Sequence, residues 1–177
     1  MLTQSLMLNP TERMNRARGD LAMGLPCLLS NGSCTLLMVA IESTSQDRFD
    51  ALHDELGAPE LVITANRARA IMSAAATANL GDGPVRISPP ASADFNWYHR
   101  VVDPVHDQTN SAVGPFHILR SGDDSVPHAG LRLVKSAELI PAFALFPVSD
   151  AAGFTNDFPL TRLDATEVLE ALSITPA

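Results

Sequence analysis

A chain of 177 residues, 46% hydrophobic and 18% charged, has the length and composition of one globular domain and is not that of a disordered segment. Its net charge of -8 argues against nucleic acid or an anionic membrane as partner, since both need clustered cations. No run approaches the ~18 apolar residues of a membrane span, and the opening Met1–Pro10 is too short for a secretory signal and lacks a basic start. The expectation is a cytoplasmic, soluble protein, one domain over residues 1–177 with loose termini at 1–10 and 173–177.

Asn9-Pro10-Thr11-Glu12 reads as a helix start: an N-cap, proline in the first turn and Glu12 at the capping-box position. Met14, Ala17 and Leu21 follow at helical spacing, and Gly24 closes the helix. Two apolar runs, Pro26–Leu29 and Leu36–Ile41, flank Asn31-Gly32, the strongest short-range hairpin signal. Runs apolar throughout suit strands covered on both faces, so this hairpin is expected to be the seam of the fold. A two-residue turn would pair Ser30 with Ser33 and Leu29 with Cys34. Cys27 and Cys34 would then be diagonal neighbours about 7–8 Å apart, too far for a comfortable disulfide, and are read as two buried free thiols.

Ser43–Ser45 caps a second helix bearing Phe49, Leu52 and Leu56 and ended by Gly57; Glu60–Thr64 is a short buried strand. An alanine-rich helix is predicted over 66–79, a strand over Pro84–Ser88, and a helix capped by Ser92 that carries Phe95, Trp97 and Tyr98. Residues 103–114 are polar and irregular and are expected to be a mobile loop. A strand at Phe116–Arg120 follows, then a turn at Ser121–Ser125, a helix over 126–138 and a long apolar strand, Pro141–Val148. A strand at Pro159–Leu163 and a helix capped by Asp164 and Glu167 end the chain. This alternation, with no internal repeat, predicts an α/β (α+β) domain with helices packed on one mixed sheet.

Chemistry is harder to find. Gly81-Asp82-Gly83 is a turn rather than a phosphate loop, and Asp103-Pro104-Val105-His106-Asp107 matches no ordinary metal spacing. His117 reads as a partnered core residue, and His53, His99 and His128 lie on helices without an obvious acidic partner. Asp123-Asp124 reads as a solvated helix entry. Two cysteines are too few for a structural zinc site, and no serine or cysteine sits in a nucleophile signature. The hairpin tip has no Asp, Glu or Arg between Gly24 and Glu42, so it offers neither a metal ligand nor a phosphate clamp.

The order of segments resembles the 3,4-dihydroxy-2-butanone-4-phosphate synthase family of riboflavin biosynthesis. Gly24-Leu25-Pro26 with Val39-Ala40-Ile41-Glu42 and Thr44 is similar to the family's opening, and Ile63-Thr64-Ala65-Asn66-Arg67-Ala68 to its next strand and helix start. Ile87-Ser88 with Asp94 and Val101-Val102-Asp103-Pro104 resembles its central segment. Phe116–Arg120, Leu133–Val148 and Pro159–Asp164 follow in the family's order. The resemblance spans residues 12–172 and implies the synthase fold and a homodimer.

Departures fall on the chemistry. The family joins its first two strands by an acidic, Arg-containing loop that binds magnesium and the sugar phosphate; Ser30–Thr35 stands in its place, shorter and uncharged. The family's catalytic His would fall near Val126 and its metal-binding Glu near Pro147, with His128 about two positions away. No catalytic, cofactor-binding or metal-binding residue is therefore assigned, and no cofactor is expected. Fold kept and site lost resembles the degenerate synthase-like domain at the N-terminus of some proteobacterial GTP cyclohydrolase II proteins. Three readings stand: a non-catalytic domain serving dimerisation or support of a cyclohydrolase; a magnesium-dependent lyase making the butanone phosphate and formate from ribulose 5-phosphate; or a small-molecule-binding regulatory domain. A lyase would need its carboxylates from Glu42, Asp103, Asp107, Asp123 and Asp124, whose convergence the sequence leaves open. The dimer also draws on three of nine aromatics falling within four residues, with Trp97 off the face shared by Phe95 and Tyr98.

Overall fold

The computed structural model describes residues 5–108, 114–150, 154 and 157–173. Helix α1 (Pro10–Ala22) starts on the reciprocal Asn9–Glu12 capping box expected of it. The hairpin β1 (Cys27–Ser30) and β2 (Thr35–Ala40) follows, then α2 (Gln46–Leu56) and β3 (Glu60–Thr64). The predicted alanine-rich helix is broken into α3 (Ala65–Ile71) and α4 (Ala74–Thr77). Met72 is extended and the Ser73 side chain accepts from the Ala76 amide, a local cap that competes with continuation of the helix. Next come β4 (Pro84–Ser88), α5 (Phe95–Val102, capped by Asp94 rather than Ser92) and a 3-10 turn at Pro104–Gln108. Strand β5 (His117–Leu119), α6 (Ser125–Ser136), β6 (Ala142–Pro147), β7 (Arg162–Asp164) and α7 (Ala165–Ser173) complete the described elements.

The strands form one mixed seven-stranded sheet in the order β5-β4-β3-β6-β2-β1-β7, antiparallel except for the parallel β1–β7 pair. The centre is β6 and not the hairpin. Its run Ala142–Phe146 is buried throughout and pairs with β2 on one side and β3 on the other. Both faces of the sheet are covered, as apolar runs without alternation require. Alternate residues Cys27, Leu29, Met38, Ala40, Phe143 and Leu145 pack under α1, α6 and α7. Their neighbours Leu28, Leu37, Val39, Ala144 and Phe146 pack under α2, α3 and α5. Gly130 of α6 lies so close to Phe143 that a Cβ there would overlap the ring.

The hairpin register differs from the expected one by two residues: Ser30 pairs with Thr35 and Cys27 with Met38. The connection is four residues long because Asn31 builds it with its side chain. Its Oδ1 accepts from the amides of Ser33 at 3.1 Å and Cys34 at 2.9 Å, an Asx turn in place of the two-residue one. A slip of two leaves every side chain on its intended face. The two cysteines are free; Cys27 is buried, while Cys34 lies exposed on the tip. Burial and nearby Asp20 push the Cys27 thiol pKa up, leaving it a packing residue.

Two further expectations change. His117 is exposed, because β5 is an edge strand. The aromatic helix is buried within its own chain: Trp97 is 5% exposed and Tyr98 fully covered. Tyr98 stacks on Phe49 and donates to the Pro59 carbonyl at 2.9 Å, while Trp97 packs on Tyr98 and Phe116. Phe95 lies against Phe49 and His99. Among the described residues no helix is long and apolar enough to cross a membrane.

Candidate functional site

The end of the sheet that carries the hairpin tip also carries Glu60 and Pro147, since Leu36 pairs with Pro147 and Glu60 with Leu145. A cavity of ≈ 360 Å³ opens there, lined among others by Cys34, Glu60, Arg86, Asp123, Pro127 and Pro147. A shallower groove of ≈ 640 Å³ shares Cys34, Leu36 and Pro147 with it and extends past Thr35 to Glu55 and Arg162.

Polar groups in the first cavity are held by one another. Arg86 meets Glu60 in a two-pronged pair, Nε to Oε2 at 2.9 Å and Nη2 to Oε1 at 3.0 Å. Its Nη1 donates to the Ser121 carbonyl at 2.9 Å and lies 3.9 Å from Asp124. Gly122 is required beneath it: φ is +113°, and a Cβ would stand 2.7 Å from the guanidinium. Asp123, one residue on, accepts from the Ser125 amide at 2.7 Å and from Asn31 Nδ2 at 2.9 Å. The Ser125 and Asn31 bonds hold the Asp123 carboxyl below its usual pKa. An unbroken polar chain thus runs from Glu60 through Arg86 and the 121–125 turn to Asn31 and the hairpin tip.

The acids that sequence reasoning set aside as possible ligands do not gather. Asp107 is held by Arg67 at 2.6 and 2.7 Å, and Arg67 also donates to the Val101 carbonyl at 2.8 Å. The Arg67 hydrogen bond is the first cause of a lowered Asp107 pKa. Asp103 accepts from the Val105 amide at 2.9 Å and lies 3.9 Å from His106. Glu42 follows β2, accepting from the Ile140 amide. Arg67 follows β3 and Glu42 follows β2, so these groups lie at the end of the sheet opposite Asn31 and Asp123, roughly five 3.3 Å steps away. The segment around Asp103–Asp107 is therefore anchored, and only residues 109–113 of the expected mobile loop lie outside the described residues.

The histidines are scattered too. His128 lines a separate cavity on the β4–β5 side, while the neighbouring Val126 is buried and Pro127 faces the tip cavity. His99 packs edge-on against Phe95, and burial lowers its pKa against the opposing pull of Asp103. Among the described residues no three His, Cys, Asp or Glu are grouped so as to hold a metal ion.

Magnesium, which the resemblance implies, does not fit these residues. It asks for near-octahedral oxygen coordination with one or two carboxylates at its disposal. The two carboxylates on the tip cavity are Glu60, already bound by Arg86, and Asp123, already bound by Asn31 and Ser125. Prolines occupy the flanking positions, and proline has no side-chain ligand or proton to move. The Arg86–Glu60 pair escaped sequence reasoning. The only signal was a lone Arg inside a strand and a Glu opening its neighbour, which strand pairing alone brings together.

No family model matches the chain, and no curated protein matches it. Solved structures do. A two-domain 3,4-dihydroxy-2-butanone 4-phosphate synthase from A. baumannii superposes with a TM-score of 0.65 at 14% identity, covering 90% of this chain and 57% of the other, so the chain spans little more than half of that protein. The 3,4-dihydroxy-2-butanone 4-phosphate synthase of Candida albicans gives 0.61 at 13% identity, covering 94% and 98% of the two chains. A synthase of the same name in complex with two magnesium ions gives 0.61 at 12% identity, covering 92% and 97%. At such identities the likeness is one of fold: a mixed sheet with helices packed on it, arranged as in these synthases.

Proposed function

We propose that this chain is a synthase-like domain of riboflavin biosynthesis without lyase activity of its own, acting in the cytoplasm as a dimer-forming support for a GTP cyclohydrolase II-type protein. The observation that carries the reading is the tip cavity. Pro127 and Pro147 line it, Glu60 is paired with Arg86, and Asp123 is held by Asn31 and Ser125. An enediolate needs a metal or cations to take its developing charge and an acid–base group to move protons. Among the lining residues Arg86 is the one cation and is already paired with Glu60, and no histidine lines the cavity. Losing an acid–base group costs ~10²–10⁴-fold in rate.

Trp97 does not serve as the anchor of a dimer, being covered by its own chain. Among the described residues, the large apolar side chains more than half exposed, Leu6, Met7, Met23 and Val105, are the candidates for contact. The test of function is turnover of ribulose 5-phosphate with magnesium, read as formate. The expected result is no release above the protein-free control. Release at roughly 1 per second or faster would establish the lyase reading instead.

A further inference from the structure

Of the eight asparagines in the chain, Asn31 alone is followed by glycine, and the pair lies at the hairpin tip with Gly32 exposed. That sequence is open to a reaction within the backbone. The nitrogen of the next residue can reach the asparagine side-chain carbonyl carbon, and glycine has no Cβ to obstruct the approach. Among the described residues the Gly32 N–H donates only to the Ser30 hydroxyl, at a long 3.3 Å. It takes no part in the β1–β2 ladder, and a Cβ on Gly32 would meet nothing within 4 Å. The nucleophile is thus nearly uncommitted and has room to move.

The carbon it would attack is activated. Asn31 Oδ1 accepts from the Ser33 amide at 3.1 Å, the Cys34 amide at 2.9 Å and the Ser33 hydroxyl at 3.0 Å. Three donors on one carbonyl oxygen draw electron density off Cγ. They are also placed to hold the negative charge which that oxygen takes up when a nucleophile adds. The group that would leave, Nδ2, is the one that ties the tip to the 121–125 turn, donating to Asp123 at 2.9 Å and to Ser125 Oγ at 3.4 Å.

We propose that Asn31 is a site of spontaneous covalent modification, in which succinimide closure on Gly32 replaces the carboxamide by a carboxylate and releases the hairpin tip from the 121–125 turn. The Gly32 nitrogen gives its proton to hydroxide and bonds to Asn31 Cγ. The Cγ–Nδ2 bond then breaks, and the amide nitrogen leaves as ammonia with a proton taken from water. Water opens the ring at either carbonyl, giving an ordinary aspartyl link or one that runs through the side chain. An ordinary carboxylate at position 31 still accepts from the Ser33 and Cys34 amides, so the turn itself survives, but it has no N–H for Asp123. Two carboxylates then face each other where a hydrogen bond stood, and like charges so close repel. The side-chain link adds a backbone atom between β1 and β2. Either product cuts the polar chain at its last link, on the rim of the cavity that Asp123 and Cys34 line.

The experiment ages the folded whole chain in mildly alkaline buffer and maps its tryptic peptides by mass spectrometry. The peptide Gly19–Arg48 holds Asn31 as its one asparagine, so its conversion and its isoaspartate content report this site. Asn31 is expected to convert ahead of the other seven asparagines, and the aged protein to melt below the fresh one. Asn31→Asp reproduces the ordinary product and should lower the melting temperature by roughly 2–4 °C. Added to Asp123→Asn, whose carboxamide can donate to the new carboxylate, the same substitution should cost much less. Survival of Asn31 while other asparagines convert overturns the proposed site. An unchanged melting temperature in Asn31→Asp, or an equal loss with and without Asp123→Asn, overturns the proposed release of the tip.

Discussion

Arg86 answers both oxygens of Glu60, the Ser121 carbonyl and, at longer range, Asp124, and through the 121–125 turn it sets where Asp123 meets Asn31. Its side chain is 15% exposed and that of Glu60 35%, so solvent screens the pair only in part. Arg86→Met should lower stability by about 1–3 kcal/mol, because Glu60 and the Ser121 carbonyl lose their donor. Pairing it with Glu60→Gln should restore part of the loss, a coupling that denaturant melts of the single and double variants measure. Asp107 contributes to the pH dependence of stability, as does Asp123, whose carboxyl is also held low. Arg67 depresses the pKa of Asp107, so its contribution is present above the unfolded value of about 3.9 and is lost as pH falls through the folded value. Asp107→Asn should therefore flatten the decline of melting temperature between about pH 5 and pH 2. Sequence reasoning named Asp107 but not its partner, because 40 residues separate it from Arg67 and spacing along a chain says nothing about such pairs. The side-chain caps at Asn9, Ser45 and Asp164 were legible because each acts within three residues.

At the scale of elements, local signals worked where no side chain competed with them. Strands β3 and β4 fall on their predicted spans. The segment 66–79 failed because alanine content gives a helix no end, whereas Ser73 supplied one. The hairpin loop lengthened because the Asn31 carboxamide bonded to the turn's own amides instead of leaving them to a two-residue turn. Helix α5 shows the limit of face-counting. Trp97 points off the Phe95–Tyr98 face, yet Tyr98 and Phe116 cover it. Trp97→Ala should accordingly act on stability, by about 3–5 kcal/mol, and leave self-association at matched folded fraction unchanged. Chemical denaturation and sedimentation of the variant check the two halves of that statement.

The whole molecule was legible as a class, α/β with a mixed sheet, and not as a topology. Strand β6 enters between β3 and β2, segments about 80 and 100 positions earlier, and no local pattern encodes that insertion. For the site, the sequence revealed an uncharged hairpin tip and nothing of the Glu60–Arg86–Asp123–Asn31 chain beside it. Association is open to direct measurement: sedimentation at micromolar concentration should give a dimer of the 18.9 kDa chain, and a monomer would remove the dimer from the proposed role. Under the proposed function the tip cavity takes up no magnesium. Melting temperature followed across a millimolar titration of magnesium chloride, against sodium chloride at equal ionic strength, tests it, since a native-state ligand raises stability by RT ln(1 + [L]/Kd). Superimposable curves are expected. A saturable rise with magnesium alone would contradict the proposed function.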